Sequence, residues 1–307
     1  MLTYKNLVAR PNVFIRFTGL TPAEFDRLQD KFLSAWQAFV YQTFIEGKKR
    51  HRVYGGGKTP KLRSTHDMLL FILVYITLYP LQLVQGFWFD FDEATANRWI
   101  HRLTPLLNQA LDYDHVLPKR SRGRSLDEII AEYPDLKDIL LDGIEQPVRR
   151  PKDKAKQQRA YSGKKKRHTK KQVAITHPHT QTVIYLTPTY PGKEHDKTII
   201  ERQDLRASPQ ITVGGDKGFQ GLVLGEAKIV TPTKKPKGKE LPDSIKVQNQ
   251  AFSSIRIAVE HAICGIKRSH IASDIYRNIK EGFDNDSFLA AVGLHNFRVK
   301  YRYLKNG

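Results

Sequence analysis

Between residues 21 and 46 apolar side chains return at helical spacing: Phe25, Leu28, Phe32 and Trp36. The segment opens with Thr21-Pro22-Ala-Glu24, which supplies an N-cap, a first-turn proline and an acid at the positive end of the helix dipole. A basic, glycine-rich connector follows over 47–65. Three further helices are predicted at His66–Tyr79, Leu81–Phe89 and Glu93–Leu111, the last capped by Asp92. The apolar run Met68–Val84 is interrupted by Thr77, Pro80 and Gln82 and is shorter than a bilayer requires, so it predicts a buried core helix stopped at Pro80. On the third helix Trp99, Leu103, Leu106 and Leu107 fall on one side, and Thr95, Arg98, His101 and Arg102 on the other. A short helix, a tight connection and a helix with a basic face make 66–115 a helix-turn-helix candidate; a plain bundle with a solvated polar face explains the same pattern equally well.

After a linker over 116–137 the pattern changes from helical to strand-like. Strands are predicted at Asp138–Asp142, Lys171–Thr176, Gln181–Thr187, Ile211–Gly215 and Lys228–Pro232, with a hairpin turn at Pro178-His-Thr-Gln. A short helix at Lys197–Leu205 and long helices at Ile245–Ser273 and Asn285–Tyr301 complete a mixed α/β domain. A basic loop occupies 233–244.

The 307 residues leave room for two domains, and 51 Lys+Arg against 31 Asp+Glu give a formal charge of +20. Such a surplus favours a polyanionic partner, because neutralising phosphates releases counterions. A membrane surface competes poorly, since no basic amphipathic helix with a clean apolar face stands out. The single cysteine, Cys264, excludes an intrachain disulfide and a cysteine-based zinc site. It fits a reducing compartment, and the N-terminus lacks a signal peptide's apolar core, so an intracellular protein is expected.

Three acids stand in or beside apolar elements. Asp142 follows Ile139-Leu-Leu, Asp216 follows Ile-Thr-Val-Gly-Gly, and Glu260 lies within the long helix. At roughly 100° per residue, Arg256, Glu260 and Lys267 share an arc about 40° wide, while Ile255, Val259, Ala262 and Ile266 share another that faces the sheet. Each acid alone is ordinary: a turn-capping Asp, or a salt-bridged helix edge with Arg256 and Glu260 four residues apart. Together in a cationic chain they suit a hard dication acting on phosphodiesters, where two metals about 3.5–4 Å apart activate the attacking oxygen and stabilise the leaving one. The run Arg149–Lys171 is the strongest charge feature, with Arg149, Arg150, Lys164, Lys165, Lys166 and Arg167 prominent and Tyr161 and His168 interleaved. A nonspecific RNA-binding or localisation tract reads the same way. The segment Gly55-Gly-Gly-Lys58-Thr59 lacks the first glycine and the strand that a phosphate-binding loop needs, and His177 and His179 have no cysteine partners for zinc.

In combination, Asp142-Gly-Ile-Glu145, Tyr161-Ser-Gly-Lys-Lys-Lys-Arg-His-Thr, Gly215-Asp216-Lys-Gly-Phe and Arg256-x3-Glu260-x6-Lys267 resemble the DDE transposases of bacterial insertion sequences, in the group called insertion sequence five with its Harbinger-like DDE domain. The resemblance covers 138–300. It implies a ribonuclease-H-like catalytic domain over 138–303, a mixed five-stranded sheet with flanking helices, preceded by an all-α helix-turn-helix domain at 66–115 and an N-terminal helical region with its connector at 1–65. It implies two Mg²⁺ (or Mn²⁺) ions per active site held by Asp142, Asp216 and Glu260. Arg256 and Lys267 would act on the scissile strand, and Lys217, His168 and the basic run would grip DNA. Water would cut the element's end, and the freed 3′-hydroxyl would attack target DNA. Arg98, His101 and Arg102 would read terminal inverted repeats in double-stranded DNA, within at least a dimer, in the bacterial cytoplasm at the nucleoid. Related insertion-sequence enzymes often carry a tyrosine where this chain has Ser253. A domesticated metal-dependent endonuclease and a non-catalytic helix-turn-helix DNA-binding protein are the rival readings. The role of Glu145 stays open, since strand alternation turns it away from Asp142.

Overall fold

A computed structural model of the protein describes residues 1–47, 60–133, 136–236, 238 and 240–302. Most of the connector, with the Gly55–Thr59 segment, lies outside the described residues. The chain divides into two compact units, one of Met1–Leu117, Lys267–Asp274 and Asn278–Lys305, the other chiefly Pro118–Ile266.

The first unit is all helical. It opens with α1 (Tyr4–Val8) and α2 (Pro11–Thr18), two short helices that the periodicity does not signal. In α3 (Pro22–Val40) the Thr21 hydroxyl accepts from the Glu24 amide at 3.2 Å and the Glu24 carboxylate accepts from the Thr21 amide at 2.7 Å, a reciprocal cap. The helix runs on into a π-turn at Tyr41–Ile45. Helix α4 (Thr65–Leu78) is buried all round from Met68 to Thr77 and ends on Tyr79 in a left-handed conformation just before Pro80. It is followed by α5 (Gln82–Phe89) and α6 (Glu93–Tyr113), the latter capped by Asp92 as the sequence predicts. Among the described residues no helix is long and apolar enough to cross a membrane.

The second unit begins with α7 (Leu126–Ile130), inside the stretch read as a linker. Its Leu126, Ile129 and Ile130 are buried in the sheet's core, which makes it part of the fold. The sheet contains β1 (Asp138–Pro147), β2 (Tyr161–Ser162), β3 (Arg167–Thr176), β4 (Val183–Leu186), β5 (Tyr190–Pro191), β6 (Thr212–Gly214) and β7 (Lys228–Val230). Helix α8 (Lys154–Ala160) interrupts the basic run, and α9 (Asp196–Glu201) follows β5. Strand order is β2-β3-β1-β6-β7, with β4 and β5 also paired to β3. Strand β1 is antiparallel to β3 and parallel to β6. It outruns the predicted Asp138–Asp142 because its ladder with β3 continues to Pro147↔Thr169. Alternation sends Ile139, Leu141, Val173 and Ile175 into a core completed by Ile199 and Ile200 of α9. Across the other face runs α10 (Asp243–Lys267). Its Phe252 ring lies where a side chain at Gly214 of β6 would otherwise stand, 3.1 Å from an ideal Cβ. This is a mixed α/β, ribonuclease-H-like sheet with flanking helices, preceded in sequence by the helix-turn-helix segment. The final helix, α11 (Phe283–Arg302), belongs to the first unit, where Arg302 holds Glu24 through contacts of 2.5 and 2.7 Å.

Candidate active site

Strands β1 and β6 run parallel, and their last pair is Leu140↔Gly214. Two residues further along each strand stands an aspartate, Asp142 or Asp216. Parallel registration thus sets Asp142, midway along β1, beside the exit of β6 where Asp216 stands. The Asp142 carboxylate accepts from the Gly143 amide at 2.7 Å, and its second oxygen lies 3.8 Å from the Arg256 guanidinium. Burial raises its pKa and Asp216 adds repulsion, while the Gly143 hydrogen bond and the charges of Arg256 and Lys164 pull the other way; the net shift is upward. Asp216 caps the short 3₁₀ turn Lys217–Phe219 by accepting from the Gly218 amide at 2.8 Å. A Cβ at Gly218 would sit 2.8 Å from that same oxygen and push the capping carboxylate aside. Buried Phe219 anchors the turn from beneath.

Glu260 lies one helical turn beyond Arg256 on α10, and it is exposed. Among the described residues no three His, Cys, Asp or Glu side chains come close enough together to hold a metal ion. The structure sets Arg256 beside Asp142 and lets Asp216 act on Asp142's charge, and the three acids do not gather into a metal-holding group among the described residues. The two aspartates are hard oxygen donors whose repulsion a dication would relieve, so the pair fits a divalent metal but does not by itself complete a site. Lys267 closes α10. Val259, Ala262 and Ile266 are buried as their spacing predicts, but Ile255 is 52% exposed, because burial along this helix begins at Val259. The Arg256 Nε is buried without a hydrogen-bond partner among the described residues. Ser253 is exposed and its hydroxyl donates back to the Asn249 carbonyl, while the neighbouring Phe252 seats the helix.

Glu145 faces away from Asp142. Its Oε2 accepts from the Thr169 hydroxyl at 2.9 Å and its Oε1 is 3.6 Å from Lys171, which also lies 3.1 Å from Asp196 on α9. This buried network was invisible in the sequence, where Lys171 reads as one more member of the basic run. The side chain is interior, so the surface offered to phosphate ends before it. Asp196 packs against β1 so closely that a Cβ on Gly143 would stand 2.6 Å from its carboxylate.

The remaining cations are outward. Arg149, Arg150, Lys164, Lys165, Lys166, Arg167 and Lys217 are all exposed, and the first six flank or cap the β2–β3 hairpin. At the base of that hairpin Tyr161 pairs with His168, their ring centroids 5.7 Å apart at 73°. In the helical unit Arg98 is exposed and donates to Thr95 at 2.8 Å. Arg102 is exposed too, but its guanidinium lies over Trp99 at 5.1 Å and near Phe39 at 6.0 Å, beside the apolar side and not opposite it. His101 turns inward. Its ring meets Phe283 edge-on at 4.3 Å, its Nδ1 is buried without a hydrogen-bond partner among the described residues, and burial lowers its pKa.

Residues 141–296 match the family described as DDE superfamily endonuclease, and residues 60–112 match the helix-turn-helix of DDE superfamily endonuclease. A curated protein of Microchaete diplosiphon, described as a probable transposase for insertion sequence element IS702, is 27% identical over 281 residues, which is 91% of this chain and 96% of that one. No solved structure matches the chain.

Proposed function

The chain belongs to the DDE superfamily endonucleases, enzymes that cleave DNA in transposition, and on that premise we propose that it cuts the ends of an insertion sequence and joins them to target DNA. The supporting observation is the parallel pairing that sets Asp142 within β1 beside Asp216 at the exit of β6, with Arg256 3.8 Å from the first. Asp142 and Asp216, with Glu260 as third ligand, would hold divalent ions, Mg²⁺ or Mn²⁺ and two per site. Bound there, the ions would supply polarisation of the scissile phosphate and activation of the attacking oxygen. Arg256 donates its Nε–H to a phosphate oxygen, the charge-assisted partner that this buried donor lacks. Lys267 and Lys217 flank the same strand. Arg149, Arg150, Lys164, Lys165, Lys166, Arg167 and His168 hold the duplex by its phosphates.

In the helix-turn-helix segment Arg98 reads the terminal inverted repeats, supported by Arg102. Two ends must meet one target, so the working complex is at least a dimer, acting at the bacterial nucleoid. Incubation of terminal-repeat duplex and target plasmid with Mg²⁺ tests the reading. Cleaved ends and a covalently joined product are expected. Cleavage without joining points to a plain endonuclease, and binding without cleavage under any divalent metal rejects the enzyme. If Asp142→Asn cuts as fast as the parent protein, the site assignment fails.

A further inference from the structure

We propose that Tyr161 is a stacking platform for an unpaired DNA base on the sheet face that carries Asp142. The proposal rests on DNA being the substrate and adds a contact to a base.

Strand register supplies the first argument. Asp142 lies opposite Ala174, and the β1–β3 ladder is continuous from Leu140↔Thr176 to Pro147↔Thr169. Residues two apart on a strand share a face, so Ala174, Gln172, Lys170 and His168 lie on the Asp142 side. Tyr161 faces His168 directly across the β2–β3 pair and lies on that side as well. Lys171 and Glu145 bond each other on the opposite side, as this alternation requires.

The second argument concerns the ring itself. Tyr161 is 43% exposed, and no hydrogen bond to its hydroxyl and no cation over its ring occurs among the described residues. Its contact with His168 is edge-to-face at 73°, which braces the ring while leaving aromatic surface open. The backbone beneath is fixed. Ser162 is buried and its hydroxyl accepts from the Lys165 amide at 3.2 Å; the Lys193 amide donates to Arg159 at 3.1 Å and the Gly192 amide to Thr169 at 2.9 Å. Gly192 lies so near that a Cβ there would stand 2.8 Å from the Ala160 carbonyl. An exposed aromatic face beside a turn that carries Lys164, Lys165, Lys166 and Arg167, all exposed, combines the two components of sequence-tolerant binding to unpaired nucleic acid: cations for the backbone and a π-face for a base. Bases inside an intact duplex are covered on both faces, so the occupant is an unpaired base, in a single-stranded tail or displaced from its pair.

The test uses full-length protein carrying Asp142→Asn, which prevents cutting, and one duplex prepared blunt or with a two-nucleotide single-stranded tail containing 2-aminopurine. With Tyr161 present, the tailed duplex binds tighter than the blunt one and its fluorescence is quenched on binding. Tyr161→Phe retains both properties. Tyr161→Leu, which keeps apolar bulk but removes the π-face, loses about tenfold in affinity for the tailed duplex and leaves the blunt affinity unchanged. The proposal is overturned if Tyr161→Leu binds tailed DNA like its parent, or weakens on both duplexes by the same factor. Absence of any DNA binding by the parent would instead sink the proposed function along with the platform.

Discussion

Arg256 stands 3.8 Å from Asp142, within ion-pair range but too long for a hydrogen bond. The contact partly offsets the cost of a carboxylate set into a sheet, and the guanidinium keeps donors for something else. Replacing Arg256 with Gln should therefore separate two roles. Mn²⁺ binding, followed by calorimetry, should not weaken, because removing a cation from beside Asp142 favours another cation there. Terminal-repeat cleavage should fall sharply through loss of the phosphate contact. Weaker Mn²⁺ binding would mean that Arg256 organises the acids instead.

Asp142 predicts a pH dependence. Its pKa is raised in the folded protein, so the native state binds the proton more tightly than the unfolded chain. The resulting stability is fully present below the ordinary carboxylate pKa and is lost as pH rises through the folded value. In metal-free buffer at neutral pH, Asp142→Asn should raise the melting temperature relative to the parent. The advantage should vanish as the pH is brought below the carboxylate range, and Mg²⁺ should stabilise only the parent. An equal or lower melting temperature for Asp142→Asn at neutral pH would contradict the assignment of a destabilised carboxylate.

Glu260 should behave differently, being exposed on α10. Glu260→Gln should leave metal-free stability within about 0.5 kcal/mol of the parent, as surface changes do, and still abolish cleavage. A variant that cuts at the parent rate would remove Glu260 from the metal site.

Lys171 and Lys165 belong to one basic run yet should have opposite signatures. Lys171→Met leaves Glu145 and Asp196 without their shared cation, and breaking a buried pair costs about 3–5 kcal/mol, measurable by urea unfolding. Lys165→Gln should not change stability but should lower the salt slope of DNA binding by about 1. The reverse pattern would place Lys171 on the DNA surface.

On α6, Arg98→Ala should weaken binding to terminal repeats by about tenfold. His101→Phe should not, because its ring already packs on Phe283 and an apolar replacement removes a buried unpartnered nitrogen. Comparable losses for both variants, by fluorescence anisotropy, would show that the inward ring turns out to reach DNA.

The sequence alone determined what local chemistry dictates. Thr21-Pro22-Ala-Glu24 started α3, Pro80 stopped an apolar helix, Asp92 capped α6, and glycines around Asp216 marked a tight strand exit, since caps, prolines and glycines act within a few residues of themselves. It also determined the family, through four short motifs in order. Tertiary structure decided everything that depended on which strand met which. The two-residue strands β2 and β5, and helix α8, have no apolar period of their own; β2 and β5 exist through pairing with β3. Lys171 became a buried partner of Glu145 because register put them opposite each other, and composition cannot distinguish an interior lysine from a surface one. His101 turned inward because α11, far along the chain, supplied Phe283. The three acids show the same division: adjacent parallel strands brought Asp142 and Asp216 together, while Glu260 rides on a helix whose approach to the sheet is a matter of packing, which no spacing along the chain encodes.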